Sequence, residues 1–248
     1  MYKVLFLVLI SNMALAQNKI FQSQNRAFNG ASQTAPSYGI TDGLILNLDA
    51  GETASYSGTG TIWNDISGNN NNGTLNGAVF TTTNGVSYFN FSNTYVNTSI
   101  TKSNTMTFSV WARTSSNPEG MLFNTGNTGV GGGPNLFFYQ SGLHWNTWDS
   151  GSNSFGVLEP IDANWHNYTV VNDATSNKAT LYIDGVLVGN QVTYKSSTYT
   201  TNLYIGAAGL GDGYFWNGDI AIFQAYNRAL NSSEILQNYN AIKGRYGL

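Results

Sequence analysis

Short runs of alternating apolar and polar residues recur from Gly43 to Tyr226, each broken by Gly, Asn, Asp or Ser. A period of two puts successive side chains on opposite faces, so each run reads as a strand with one face buried. LILNLD (Leu44 to Asp49) and VSYFNF (Val86 to Phe91) show the pattern plainly. The same reading gives strands at Met106–Thr114, Asn135–Gln140, Leu143–Trp148, Trp165–Asn172, Thr180–Ile183, Val186–Val188, Asn202–Ile205 and Ile220–Tyr226. Strands at this spacing, without helical crossovers between them, predict antiparallel sheets packed as a sandwich. In LYIDGVLV, Asp184-Gly185 between apolar alternation predicts a two-residue hairpin whose turn needs positive φ.

One helix is expected near the C-terminus. Asn231 caps it, and Glu234 three residues on completes a capping box. Ile235, Leu236, Tyr239 and Ile242 share a face, and Gly244 ends it. The helix is expected over an edge or mouth of the sandwich.

The first residues read differently. Lys3, the apolar run Val4 to Ile10 and Ala14-Leu15-Ala16 match a secretory signal over residues 1–16. The apolar run is shorter than the ~20 residues a membrane-spanning helix needs. Residues 17–38 lack periodicity and are expected to form a flexible arm or linker, leaving 39–248 as one β domain. A chain of this size buries a core without staples, and it has no cysteine. The expected localisation is secreted or cell-surface, or virion surface for a phage-encoded chain, with no membrane span after signal cleavage.

Only 9% of the residues are charged, against roughly 25% in an ordinary domain. Hydration falls to amides and hydroxyls, with 33 asparagines in the chain. The formal charge is −3 and no Lys/Arg cluster occurs, so nucleic acid and anionic membrane are poor partners. WNDISGNNNNGTLNG (Trp63 to Gly77) concentrates six asparagines around one carboxylate. Its expected role is shape: Trp63 in the core, Asp65 and Ser67 in an Asx-type turn, and Asn/Gly where left-handed backbone is needed.

GLILNLDAGETASY, WNDISGNNNNGTLNG, MTFSVWART, WHNYTVV, LYIDGVLVG, LYIGA and NGDIAIFQAYNRALNSSEILQNYNAIKGRYG follow one another in this order. In that order they resemble the laminin G-like, concanavalin A-like lectin/glucanase family over about residues 40 to 247. The version with the YNRAL…EI…NYN…KGRYG ending, found in environmental bacterial and phage virion proteins, is the most similar. The resemblance implies an all-β fold, a concanavalin A-like jelly-roll sandwich of two antiparallel sheets with one short C-terminal helix. It also implies carbohydrate or surface recognition, although some relatives are glycoside hydrolases or polysaccharide lyases.

Laminarinase-type relatives carry carboxylates at i, i+2 and i+4 on one strand face, flanking the glycosidic bond. The nearest acid pairs here, Asp49/Glu52 and Glu159/Asp162, are three apart and fall on opposite strand faces. No Ser-centred elbow or histidine pair accompanies His144 or His166, and His166 reads as a strand residue. The expectation is a chain without catalytic residues; an enzyme would draw its acids from Asp149 and Asp219. Relatives often hold calcium through an aspartate and backbone carbonyls. Where they read G-x-I-D, this chain has Ala221. Asp49, Asp65 and Asp219 are the candidate Ca2+ ligands.

Sugars are held by aromatic faces and fixed amide or carboxylate groups. HWNTWDSGSN supplies Trp145, Asn146, Trp148 and Asp149, with one tryptophan in the core and the other open. GLGDGYFWNG supplies Asp212, Tyr214 and Trp216, with core packing of these aromatics as the competing reading. Trp63, Trp111 and Trp165 are expected to pack, and Arg113 to face a ligand or solvent. The leading expectation is an exported lectin-like module binding polysaccharide or cell-surface glycan. The alternative is a structural or adhesive subunit, such as a virion fibre, decoration protein or surface filament, assembling as a homo-oligomer or onto a partner through the 17–38 arm.

Overall fold

The computed structural model describes residues 39–100, 103–114, 119–125, 134–139, 142–147, 153–158, 162–193, 202–208 and 213–248. They belong to one unit, Tyr38–Leu248. The expected signal (1–16) and arm (17–38) lie outside the described residues.

The strands in chain order are β1 (Leu44–Asp49), β2 (Ile62–Trp63), β3 (Gly73–Asn76), β4 (Val79–Thr83), β5 (Val86–Phe91), β6 (Tyr95–Ser99), β7 (Met106–Arg113) and β8 (Gly120–Asn124). They continue as β9 (Pro134–Tyr139), β10 (Gly142–Thr147), β11 (Asn153–Leu158), β12 (His166–Asp173), β13 (Lys178–Ile183), β14 (Val186–Thr193), β15 (Asn202–Ile205) and β16 (Gly218–Tyr226), before the helix α1 (Ser232–Ile242). Every strand expected from alternation is present, with β14 running on to Thr193 and β16 starting at Gly218. β8 escapes that reading because all five of its residues are buried, so it has no alternation. β2 spans two residues, too few for a period.

Two antiparallel sheets of eight strands form the sandwich. The first runs β14-β13-β12-β7-β16-β5-β4, with β1 also on β16; the second runs β11-β10-β9-β8-β15-β6-β3-β2. Phe89, Phe108, Val110, Val170, Leu181 and Phe223 of the first sheet meet Val96, Phe123, Leu136, Phe138, Trp145 and Leu203 of the second in one core. Each such side chain contributes roughly 1.5–3 kcal/mol on burial, the main force holding the sheets together.

β16 organises the first sheet. Along one edge it pairs with β7 throughout; along the other, Gly218–Ile220 pair with β5 and Ile222–Asp49 contacts begin the pairing with β1. The handover coincides with a bulge: Ile220 faces Ala112 and Ile222 faces Trp111, leaving Ala221 as an extra residue. Its carbonyl accepts from Ala50 N–H.

The two-residue hairpin is as expected, with Asp184 at φ 52 and Gly185 at φ 76 joining paired Ile183 and Val186. Asn84-Gly85, at φ 52 and 80, makes the same turn between β4 and β5. In the asparagine-rich stretch Trp63 is fully buried. Asp65 Oδ1 accepts from the N–H of Asn47 and of Ser67, and Oδ2 from Ser67 Oγ and Asn71 N–H, each at 2.9 Å. This is the expected Asx turn, and it also fixes the neighbouring β1 backbone.

The capping box forms as read: Asn231 Oδ1 accepts from Ser233 and Glu234 N–H, and Glu234 accepts from Asn231 N–H. The buried face differs. Ile235, Asn238 and Ile242 are buried, while Leu236 is 44% exposed. Asn238 turns inward because Ile40 N–H and Tyr226 Oη both need partners there, at 2.7 and 3.0 Å. α1 covers the outer face of the first sheet, not an edge or mouth: Ile235 packs with Val171 and Tyr226, and Ile242 with Trp111. The chain continues past Gly244 in a 3-10 turn, Lys243–Tyr246, and closes at left-handed Gly247.

Candidate functional site

Asn90, Asp219 and Arg113 stand side by side on β5, β16 and β7: Asp219 is the register partner of Asn90 on one edge and of Arg113 on the other. Side chains at facing register positions share a sheet face, here the outer face of the first sheet. Arg113 Nε donates to Asp219 Oδ2 and Asn90 Nδ2 donates to Asp219 Oδ1, both at 2.8 Å. The guanidinium carbon lies 4.9 Å from the Tyr88 ring centre and 4.8 Å from that of Trp165. Two rings and one carboxylate therefore hold Arg113 in place.

This triad walls a cleft of about 530 Å³, also lined by Thr114, Ala163 and Asn217. Thr114 Oγ donates to the Asn217 carbonyl across it at 2.9 Å. A Cβ on Gly218 would sit 2.5 Å from the Arg113 carbonyl oxygen, so only glycine lets the two strands close there. Ala163 is held at φ 63, a left-handed conformation that costs a non-glycine residue about 1 kcal/mol or more. The following residues place Trp165 under Arg113 and His166 between two carboxylates. His166 Nδ1 is 2.7 Å from Asp184 Oδ2 and Nε2 is 3.2 Å from Asp162 Oδ1.

The aromatic residues expected to hold a sugar divide. Trp145 and Trp216 are fully buried, and both belong to the main core with Phe138. Neither offers a ring face, which corrects their placement in a binding site: Trp145 points inward from β10, and Trp216, in the segment before β16, packs into the same core. Tyr214 is 54% exposed and has φ 50. Asn146 lies on β10 opposite Asn135. Trp148, Asp149 and Asp212 lie outside the described residues. Of the candidate site residues among those described, the structure brings only Asp219 into the open cleft. Its neighbours Asn90, Asn217 and Thr114 were missed because register, not local sequence, assembles them.

The three candidate calcium ligands do not converge. Asp49 is buried against Arg245 Nη1, 2.6 Å from its Oδ2, and its Oδ1 accepts from Gly51 N–H. Burial raises its carboxyl above the usual range against the pull of Arg245. Asp65 has both oxygens in the Asx turn, and Asp219 is paired with Arg113. A hard dication needs several oxygen donors around one point, and these carboxylates are separated and already engaged by N–H, O–H or guanidinium donors. The residues present do not fit calcium at these positions. Among the described residues no group of three metal-ligating side chains occurs.

A second, smaller cleft of about 260 Å³ is lined by Asp49, Glu52, Ser87, Arg245 and Tyr246. Arg245 bridges Asp49 and Glu52 there, and Tyr246 stacks on Trp111 at 4.4 Å. These contacts anchor the C-terminal turn. On the second sheet, register aligns Asn97, Tyr204, Asn124, Asn135 and Asn146 in one row across five strands. Tyr204, Asn124 and Asn135 in its middle are buried, so the middle of the row is a floor rather than an open surface. Toward its end Phe137 stacks on His144 at 5.3 Å, beside Tyr139, which is 42% exposed.

A family model described as the concanavalin A-like lectin/glucanases superfamily matches residues 83–236. Among solved structures, domain 4 of a GH43 extracellular arabinanase from Geobacillus stearothermophilus, in complex with arabinotriose, is 13% identical. Its TM-score is 0.64 over 79% of this chain and 98% of that one. The binding domain of botulinum neurotoxin DC, in complex with rat synaptotagmin II, is 15% identical with a TM-score of 0.63 over 82% and 52% of the two chains. A botulinum neurotoxin type C structure, whose cell entry depends on two ganglioside molecules, gives 16% and 0.63 over 82% and 52%. The chain spans about half the length of these neurotoxin chains. At such identities the likeness is one of fold. No curated protein matches the sequence.

Proposed function

Because the chain belongs to the concanavalin A-like lectin/glucanase superfamily, we propose that it is a non-catalytic, exported glycan-binding module whose ligand sits in the Arg113–Asp219–Asn90 cleft. The observation that carries this reading is the cross-strand triad itself. A sugar hydroxyl is both donor and acceptor, so it suits a wall that pairs a fixed guanidinium with a fixed carboxylate and an amide. The wall is rigid because strand pairing sets it and two aromatic rings brace it, which lowers the ordering cost of binding. Related binding domains seen with arabinotriose and with ganglioside dependence support a glycan as ligand. The exported status rests on the signal-like pattern at residues 1–16.

The non-catalytic reading rests on the described carboxylates. Asp49 and Glu52 share Arg245, Asp219 holds Arg113, and Asp162 and Asp184 flank His166. Each of these five is engaged by a cation, whereas glycoside hydrolysis requires two acids facing one another across an open gap.

A glycan array probed with the full chain and with Asn217→Ala tests the proposal. Asn217 is exposed, so its truncation leaves the fold intact and removes one wall group. The expected outcome is binding by the wild type that weakens about tenfold in the variant, the worth of one good hydrogen bond. A blank array, or hits indifferent to Asn217→Ala and to Arg113→Lys, would sink the assignment.

A further inference from the structure

The geometry points to a neutral, vicinal-diol-bearing glycan as the ligand class of this cleft, with uronates and other polyanionic glycans excluded; the inference rests on the glycan-binding reading above. Arg113 engages Asp219 through Nε alone. Its Nη nitrogens make no hydrogen bond to any described residue, and the side chain is 30% exposed. Arg113 therefore presents N–H donors to the cleft in an orientation fixed by Asp219, Tyr88 and Trp165.

Asp219 supplies the other half. Among the described residues each of its oxygens accepts one hydrogen bond, from Arg113 or from Asn90. A carboxylate oxygen has two lone-pair sites, so acceptor capacity remains beside the Nη donors. Two adjacent sugar hydroxyls match this arrangement: one accepts from the guanidinium and its neighbour donates to the carboxylate.

Charge decides between a neutral and an acidic sugar. Among the described lining residues the ion pair sums to zero, with one cation and one anion. Asp162 lies next to the lining residue Ala163, where it pairs with His166, and the whole chain carries a formal charge of −3. A uronate entering the cleft would meet a guanidinium already neutralised and a carboxylate facing it, an unfavourable juxtaposition. The rings that brace Arg113 are buried: Tyr88 and Trp165 are each 7% exposed. They support the guanidinium and do not stack on a pyranose. Discrimination falls to hydroxyl geometry, where a missing or misplaced hydroxyl leaves a fixed polar group unpaired.

The test is isothermal titration of the full chain with matched polymers: mannan against mannuronan, and galactan against polygalacturonate. Each neutral polymer is also used after periodate cleavage of its vicinal diols and borohydride reduction. The expected result is binding to at least one neutral polymer, loss of at least tenfold after periodate, and no measurable binding to its uronate partner. Asp219→Asn keeps the shape, removes the acceptor charge and leaves Arg113 unneutralised. It should weaken the neutral ligand about tenfold and bring uronate binding into the measurable range. Wild-type preference for a uronate, weakened by Asn217→Ala, would overturn the neutral-ligand inference while leaving glycan binding at the cleft intact. Neutral binding that survives periodate would overturn the diol. Failure of every polymer, together with a blank array, would remove the glycan-binding reading itself.

Discussion

His166 and Asp184 tie the turn of the β13–β14 hairpin to β12: His166 Nδ1 lies 2.7 Å from Asp184 Oδ2, and Asp184 Oδ1 accepts the Asn167 N–H at 2.9 Å. Asp184 thus serves as turn residue, strand anchor and counterion together. Its hydrogen bond, against the opposing effect of burial and with help from Asp162, raises the histidine pKa to about 9.

Stability should therefore depend on pH across the alkaline side. The histidine starts from an ordinary value of 6.5 and is raised to about 9 when folded, so folding favours its charged form. The stabilisation is complete below the unfolded value and is lost as pH rises through the folded one. Allowing for the 38% exposure of Asp162, the swing is on the order of 2 kcal/mol. Urea melts between pH 6.5 and 9 should show this decline, and His166→Gln should flatten it. A wild-type profile already flat over that window would refute the assignment.

Arg245→Ala should destabilise the chain by about 3 kcal/mol, because it strands the buried Asp49 carboxylate without its cation. Adding Asp49→Asn to that variant should restore part of the loss, since the amide carries no charge to desolvate. Chemical denaturation of the four members of the cycle reads the coupling; strict additivity would mean that the pair is not a unit.

Asp65→Ala removes the acceptor for four donors, including the Asn47 N–H on β1. With Asp65 only 8% exposed, a cost of about 3 kcal/mol is expected. Hydrogen exchange should locate the loss at Asn47, Ser67 and Asn71. Unchanged protection at those amides would mean that the turn holds without its carboxylate.

Gly185→Ala should cost about 1–2 kcal/mol, for two reasons that add. The residue sits at φ 76, and a Cβ there would stand 3.1 Å from Leu236 Cδ1 on α1. Thermal unfolding of Gly185→Ala, alone and with Leu236→Ala, separates them: relief in the double variant assigns part of the cost to the helix contact.

The fold was readable because strand period, turn residues and helix caps are local signals. Asp184-Gly185 and Asn231/Glu234 each announce their geometry within a few residues, and Trp63 and Asp65 took the places expected of them. The site was much less so. Asn90 and Asp219 are 129 residues apart, and only the register of β16 with β5 and β7 sets them beside Arg113. Trp145 misled for a related reason. A strand's period says that neighbours point opposite ways but not which of them faces the core, and tryptophan serves in either place. Asn238 shows the same limit in a helix: a polar residue was drawn into a buried face by partners, Ile40 and Tyr226, that the helix sequence does not contain.

The extra residue at Ala221 gives β16 two opposite phases. Before it, odd-numbered Asp219 looks outward and Ile220 inward; after it, Phe223 looks inward while Gln224 and Tyr226 look outward. The half that carries the cleft can therefore vary in residue type without disturbing the half that seats the helix. It cannot vary in length. Deleting one residue here would turn either the aspartate or the helix-bearing tyrosine into the core. Among chains of this fold, the count of residues between these two outward positions thus says more about a shared site than the identity of any residue between them.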